Sequence, residues 1–260
     1  MTSSQSVAAA SYPTSYQSDA SEQDLRVQLA DFYHLVSYLG WTELIFNHIS
    51  VRLPGAEHAY LVNPFGLHYD EVTPENLIKV GVDGKLLEDN GYKANPAGFA
   101  LHGVIHEHRA DVGCVAHTHT TPISAITLKH FGFEHDSFYG AQLYGRIGYH
   151  QFEGITIYGE ERARMLASLG DKHVLVLRNH GIAVCEADIP RTFMLLWTVQ
   201  RAAEIQCAAN ALPGQNTPLS ADTKEKCATD AKRLIDGAQF AQLLFDAMVR
   251  KMKRDCPHFA

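Results

Sequence analysis

Val112-Gly113-Cys114-Val115-Ala116-His117-Thr118-His119 is an apolar run that ends in two histidines two residues apart. A short continuous apolar stretch reads as a buried strand, and the histidines fall at its end. Residues i and i+2 of a strand face the same side, about 6.5–7 Å apart along it, so two imidazoles can converge on one ion. A second apolar run, Val174–Leu177, leads through Arg178-Asn179 into His180-Gly181. Two strand ends in one sheet can place three nitrogens, from His117, His119 and His180, around a metal with one position left open. That arrangement belongs to catalytic rather than closed structural zinc sites. The spacing alone also fits satisfied surface histidines, so both alternatives stand at this point.

His102 and His106 form a rival pair, four residues apart on a helix expected over 97–109. A zinc-protease-type HExxH motif needs Glu at 103, where this chain has Gly103. Without it the pair reads as structural or exposed.

Composition bounds the rest. The 260 residues carry 22 Lys and Arg against 29 Asp and Glu, a formal charge of −7, which argues against charge-driven binding to nucleic acid or anionic membranes. A 46% hydrophobic content predicts a sizeable core. Histidine stands out with 15 residues. The cysteines Cys114, Cys185, Cys207, Cys227 and Cys256 are odd in number and lack a CxxC pair, so neither a disulfide framework nor a cysteine zinc site is expected. The first 20 residues lack the basic and apolar regions of a signal peptide, and no 18-residue apolar stretch exists. A cytoplasmic, reducing location is the expectation.

Along the chain, residues 1–20 read as a disordered tail. Ser21 caps a helix whose stripe is Leu25, Leu29, Phe32, Val36 and Leu39, stopped by Gly40. Strands are expected over 46–53 and 59–63, then a hairpin over 79–87 turning at Asp83-Gly84. Helices are expected over 97–109, 123–129, 160–169, 189–211 and 223–253, and further strands over 112–116, 155–158, 174–177 and 182–185. Residues 131–153 read as an aromatic loop. The lack of strict βαβ alternation predicts a layered α/β domain with a mixed sheet over 21–215, followed by a C-terminal helical extension over 216–260.

Val115-Ala116-His117-Thr118-His119 with Leu177-Arg178-Asn179-His180-Gly181 resembles the class II aldolase/adducin family, closest to its adducin-head branch. Gly40-Trp41-Thr42-Glu43-Leu44-Ile45-Phe46-Asn47-His48-Ile49-Ser50, Pro64-Phe65-Gly66-Leu67, Asn95-Pro96-Ala97-Gly98-Phe99 and Leu101-His102 extend the likeness over roughly 25–215. The resemblance implies a three-layer α/β/α sandwich with a central mixed, largely antiparallel sheet. It also implies a homotetramer with sites between subunits, and a divalent zinc held by His117, His119 and His180. Three-histidine ligation suits manganese or iron as well. In the aldolases the metal acts as a Lewis acid that stabilises an enediolate, and a glutamate shuttles the proton.

The chain departs from that pattern in two places. Gly98 stands at the glutamate position, with Pro96 and Ala97 where two phosphate-binding serines are expected, so a phosphorylated substrate and the usual general base both fall away. His48 replaces the asparagine of a Gly-Asn-x-Ser loop, with Ser50 kept. Asn47, His48, Ser50 and Gly66 are the expected substrate-binding residues, and His48 can bind a carboxylate or relay a proton. Tyr139, within one residue of a tyrosine that the neighbouring aldolase subunit donates, joins His48 as a catalytic candidate, with Glu43 and Tyr144 as other acid–base groups. Arg178 and Asn179 are expected to orient His180, and Glu107 and Arg109 to be solvated.

Two functions follow. The first is a metal-dependent lyase, cleaving by aldol chemistry or decarboxylation a small non-phosphorylated hydroxy- or oxo-acid. The second is a non-catalytic, adducin-head-like oligomerisation or protein-binding module. The basic cluster Arg250, Lys251, Lys253 and Arg254 reads as favourable charge at a helix C-terminus rather than as a membrane anchor.

Overall fold

Strand alternation around the HxH run divides the molecule into layers. The computed structural model describes residues 20–55, 58–93, 95, 99–155, 159–236 and 239–259. Its strands are β1 (His48–Arg52), β2 (Ala59–Val62), β3 (Ile78–Gly81), β4 (Cys114–Thr118), β5 (Ile147–His150), β6 (Val174–Leu177) and β7 (Gly181–Glu186). Among the described residues they form one sheet in the order β3-β2-β1-β4-β7-β6-β5. Each neighbouring pair is antiparallel except β5 with β6. The helices are α1 (Glu22–Tyr38), α2 (Val104–His108), α3 (Thr121–Thr127), α4 (Phe138–Gln142), α5 (Arg162–Leu169), α6 (Ile189–Ala211), α7 (Ala221–Asp236) and α8 (Gln239–Asp255).

Successive strand residues face opposite sides. Cys114 and Ala116 of β4 therefore enter one core with Leu29 and Phe32 of α1 and Phe193 and Val199 of α6. Val115 enters the opposite core with Ile105 of α2 and Met165 and Leu169 of α5. Helices thus cover both faces of the sheet, giving the three-layer α/β/α sandwich. Phe245 of α8 reaches the first core, its ring 6.4 Å from Phe32 and 5.7 Å from Phe193. Among the described residues no helix is long and apolar enough to cross a membrane. All five cysteines are free.

Local signals act as their chemistry predicts. Ser21 and Asp24 close a reciprocal capping box at the start of α1. Asp83-Gly84 turns the chain with Gly84 at φ 85°, although the returning arm pairs only through a bridge between Val80 and Leu86.

Several expectations are corrected. The helix expected over 97–109 is a π-helical turn, Phe99–Gly103, followed by the five residues of α2. Residues 131–153 are not all loop: α4 and β5 lie there. In β5 the buried alternate positions are Gly148 and His150, so the usual apolar period is absent. The helix expected over 223–253 is two, α7 and α8. Arg109 is not solvated; its guanidinium donates to the carbonyls of Gly170 (2.7 Å) and Lys172 (3.0 Å). The tail 1–19, residues 156–158 of an expected strand, and Pro96, Ala97 and Gly98 lie outside the described residues; Ile155 is exposed and outside any strand.

Candidate metal centre

Strand register sets the first ligand. His48 of β1 lies opposite His117 of β4, and His117 lies opposite Ala183 of β7. Facing residues share one side of the sheet, so the small Ala183 leaves space beside the His117 ring. His119 lies one residue beyond β4, so only His117 holds the strand position expected for both. The turn into α3 returns the His119 ring to 4.4 Å, centroid to centroid, from that of His117.

His180 comes from the tight β6–β7 turn, where Asn179 adopts a left-handed φ of 58°. Asn is one of the few side chains that tolerate this region. Ser124 of α3 ties the two turns together, its hydroxyl 2.9 Å from the His119 carbonyl and 3.2 Å from that of His180. Arg178 does not reach His180. Its guanidinium lies 4.4 Å from the Tyr149 ring centroid and donates to the Lys129 carbonyl.

One ring nitrogen from each of His117, His119 and His180 falls within 4.8 Å of the others. The outward nitrogens of His117 and His119 are engaged. His117 Nδ1 donates to the Ile182 carbonyl at 2.8 Å, and His119 Nδ1 faces Glu43 Oε2 at 3.3 Å. Partners of this kind fix the tautomer and leave Nε2 as a lone pair. The two Nε2 atoms are 2.6 Å apart. Two inward lone pairs at that separation repel unless a proton or a cation lies between them. Burial, reinforced by the neighbouring imidazoles, holds His117 well below its ordinary value and His180 at about 4; burial alone holds His119 at about 4. All three are neutral near pH 7, the form that binds metal. The donor set fits a divalent ion.

Behind the triad runs a buried polar chain that the sequence reading missed. His48 Nδ1 is 2.7 Å from His102 Nε2; Ser50 Oγ is 2.6 Å from His102 Nδ1 and 2.7 Å from His106 Nε2. His106 Nδ1 has no partner among the described residues. If protons run from His106 through Ser50 and His102 to His48, only a lone pair stays unmet; the reverse order strands an N–H in the core. The first order gives His48 its proton on Nε2. A polar stripe at alternate β1 positions (His48, Ser50, Arg52) opposite a helical i, i+4 histidine pair was the available signal.

The triad opens onto a cavity of about 320 Å³. Asn47 and His48 line it beside the three histidines. Asn47, at φ 73°, is 3% exposed, and its amide, beside the Tyr69 hydroxyl, makes no regular hydrogen bond among the described residues. Of the other expected site residues, Ser50 is turned into the histidine chain, and Gly66 forms the turn after Phe65, which itself lines the cavity. Tyr139 lies elsewhere, lining with Trp197 a cavity between α4, α6, α7 and α8. Tyr144 meets His135 edge-on, its ring centroid 5.4 Å away.

The sandwich and its converging imidazoles define an aldolase-type α/β protein able to hold a divalent metal. The chain belongs to the class II aldolase and adducin N-terminal domain family, whose pattern matches residues 27–207. It is 38% identical over 252 residues to a Pseudomonas aeruginosa protein named provisionally as a class 2 aldolase, covering 94% of each chain. It is 36% identical over 199 residues to alpha-adducin of Rattus norvegicus, covering 75% of this chain and 27% of the adducin. A crystal structure of an aldolase II superfamily protein from Pseudomonas syringae matches with a TM-score of 0.86 and 34% identity over 92% of this chain and 95% of that one.

Proposed function

We propose that this chain is a metal-dependent carbon–carbon lyase acting on a small non-phosphorylated hydroxy- or oxo-acid, with the ion held by His117, His119 and His180. The observation that carries this reading is the pair of Nε2 lone pairs aimed at one point beside His180, at the floor of a cavity. A bound divalent ion supplies Lewis-acid stabilisation of negative charge developing on a substrate oxygen. Zinc is the first candidate, with manganese and iron next.

The chain's own groups supply the rest. His48, held at about pKa 3 chiefly by burial and then by the neighbouring imidazoles of His119 and His180, stays neutral and offers its Nε2 proton to a substrate oxygen in the cavity. Asn47 lines the cavity wall with its amide turned to the Tyr69 hydroxyl, and so shapes the site rather than offering it a donor. Glu43 holds His119 in its ligating tautomer. Tyr139 lines another cavity of the same chain, so its contribution requires a second copy, as in a homotetramer.

The test is a screen of aldol-cleavage and decarboxylation substrates with metal-loaded protein, alongside His117→Ala. Turnover that falls at least about 10³-fold in the variant supports the lyase. A loaded protein that turns over none of these acids supports instead the adducin-like binding module, the reading favoured by Gly98 at the glutamate position.

A further inference from the structure

The walls of the cavity above the triad are apolar. Leu101 and Leu177 form its inner wall, and Phe46, Phe65, Phe152 and Ile155 stand around it with relative exposures of 47%, 43%, 54% and 79%. Four large apolar side chains, all exposed around one cavity, are unlike the single scattered ones of an ordinary surface. Among the described lining residues there is no lysine or arginine. A phosphate group carries a charge of about −1.5 to −2 and calls for arginine, lysine or a cluster of backbone donors. The polar groups present are the triad, His48 and Asn95, all neutral near pH 7. They suit one small oxygen-bearing head, while the remaining wall suits hydrocarbon.

From this we infer that the substrate is a 2-oxo- or 2-hydroxy-acid with an apolar body, an aryl or branched alkyl group. Its carboxylate and adjacent oxygen face the metal-binding histidines and His48. Its hydrocarbon part is seated between Phe65, Phe152 and Ile155. This assignment rests on the metal-dependent reading above and specifies the substrate class of that site.

The experiment is calorimetric titration of zinc-loaded protein with phenylpyruvate, pyruvate and glycerone phosphate, with metal content measured on the same samples. Phenylpyruvate is expected to bind about 30-fold more tightly than pyruvate, the worth of one buried aromatic ring, and glycerone phosphate no better than pyruvate. In Phe65→Ser and Phe152→Ser, both surface substitutions, the preference drops to about threefold or less with metal content unchanged. Loaded protein that binds phenylpyruvate and pyruvate alike, or glycerone phosphate best, overturns the substrate class and leaves the metal reading standing. Wild-type protein that takes up no ion overturns the metal reading, and this assignment with it.

Discussion

Gly181 and His119 are packed so closely that a β-carbon on Gly181 would stand 2.5 Å from His119 Cδ2 and 2.6 Å from the Thr118 carbonyl oxygen. The glycine after the third ligand thus makes room for the second. Gly181→Ala is expected to displace the His119 ring and weaken metal binding at least tenfold, with about 1–3 kcal/mol lost in stability from overpacking. Chelator-competition titration and urea denaturation read the two effects separately. Unchanged affinity would show that the contact does not set the ligand.

Glu43 is half-exposed, yet its carboxylate fixes the imidazole of His119. Partners that orient a metal-bound histidine are worth about 10–100-fold in affinity. Glu43→Gln should lower metal affinity within that range and scarcely move the urea midpoint, because its exposed carboxylate contributes little to folding. An equal loss in both measurements would make Glu43 a folding residue.

The fold was largely legible in the sequence because its central strands are apolar runs with sharp ends. Val174–Leu177 is wholly buried, and the helix expected over 189–211 is α6 residue for residue. β5 was not legible, since Gly148 and His150 take the buried positions that apolar residues normally mark. At the site, His117, His119 and His180 could be named from spacing and resemblance. The sequence does not reveal that Ser50 bonds two histidines some 50 residues away, because such a chain exists only once the turn Phe99–Gly103 and α2 bring His102 and His106 to β1. Tyr139 is a candidate only through its likeness to a residue that acts from a neighbouring subunit, and in a single chain it lines a different cavity, with Trp197.

Ser50 is fully buried between His102 and His106. Ser50→Ala leaves two buried ring nitrogens unmatched, and each unmet group costs about 1–3 kcal/mol. Urea denaturation should show a loss of about 2–5 kcal/mol with the metal stoichiometry of the folded fraction unchanged. A loss under about 0.5 kcal/mol would mean that the buried chain is not held by this hydroxyl.

Stability should fall in mild acid. Burial holds His48 and His106 at about 3, against an ordinary 6.5, with further depression from neighbouring histidines at His48 and from Arg52 at His106. Burial, with further depression from His48 and His106, also pushes His102 well down. The folded state keeps these rings neutral while the unfolded chain takes up protons below about pH 6.5. Their contribution is therefore complete above pH 6.5 and is lost as pH falls towards 3, by at most about 1.4 kcal/mol per pH unit for each ring. Urea midpoints of metal-free protein should be level from pH 8 to 7 and drop steeply below 6.5, with a slope shallower by about one proton in His106→Gln. A level profile down to pH 5 would contradict neutral burial.

The central claim is that three imidazoles converge to hold one ion. Elemental analysis of purified protein, before and after reconstitution with zinc, manganese or iron(II), tests it most directly. The expected result is one divalent ion per chain in the wild type, and none retained through dialysis by His117→Ala or His119→Ala while circular dichroism shows both folded. A wild-type protein that binds no divalent ion after reconstitution, or folded variants that keep the full complement, would contradict the account.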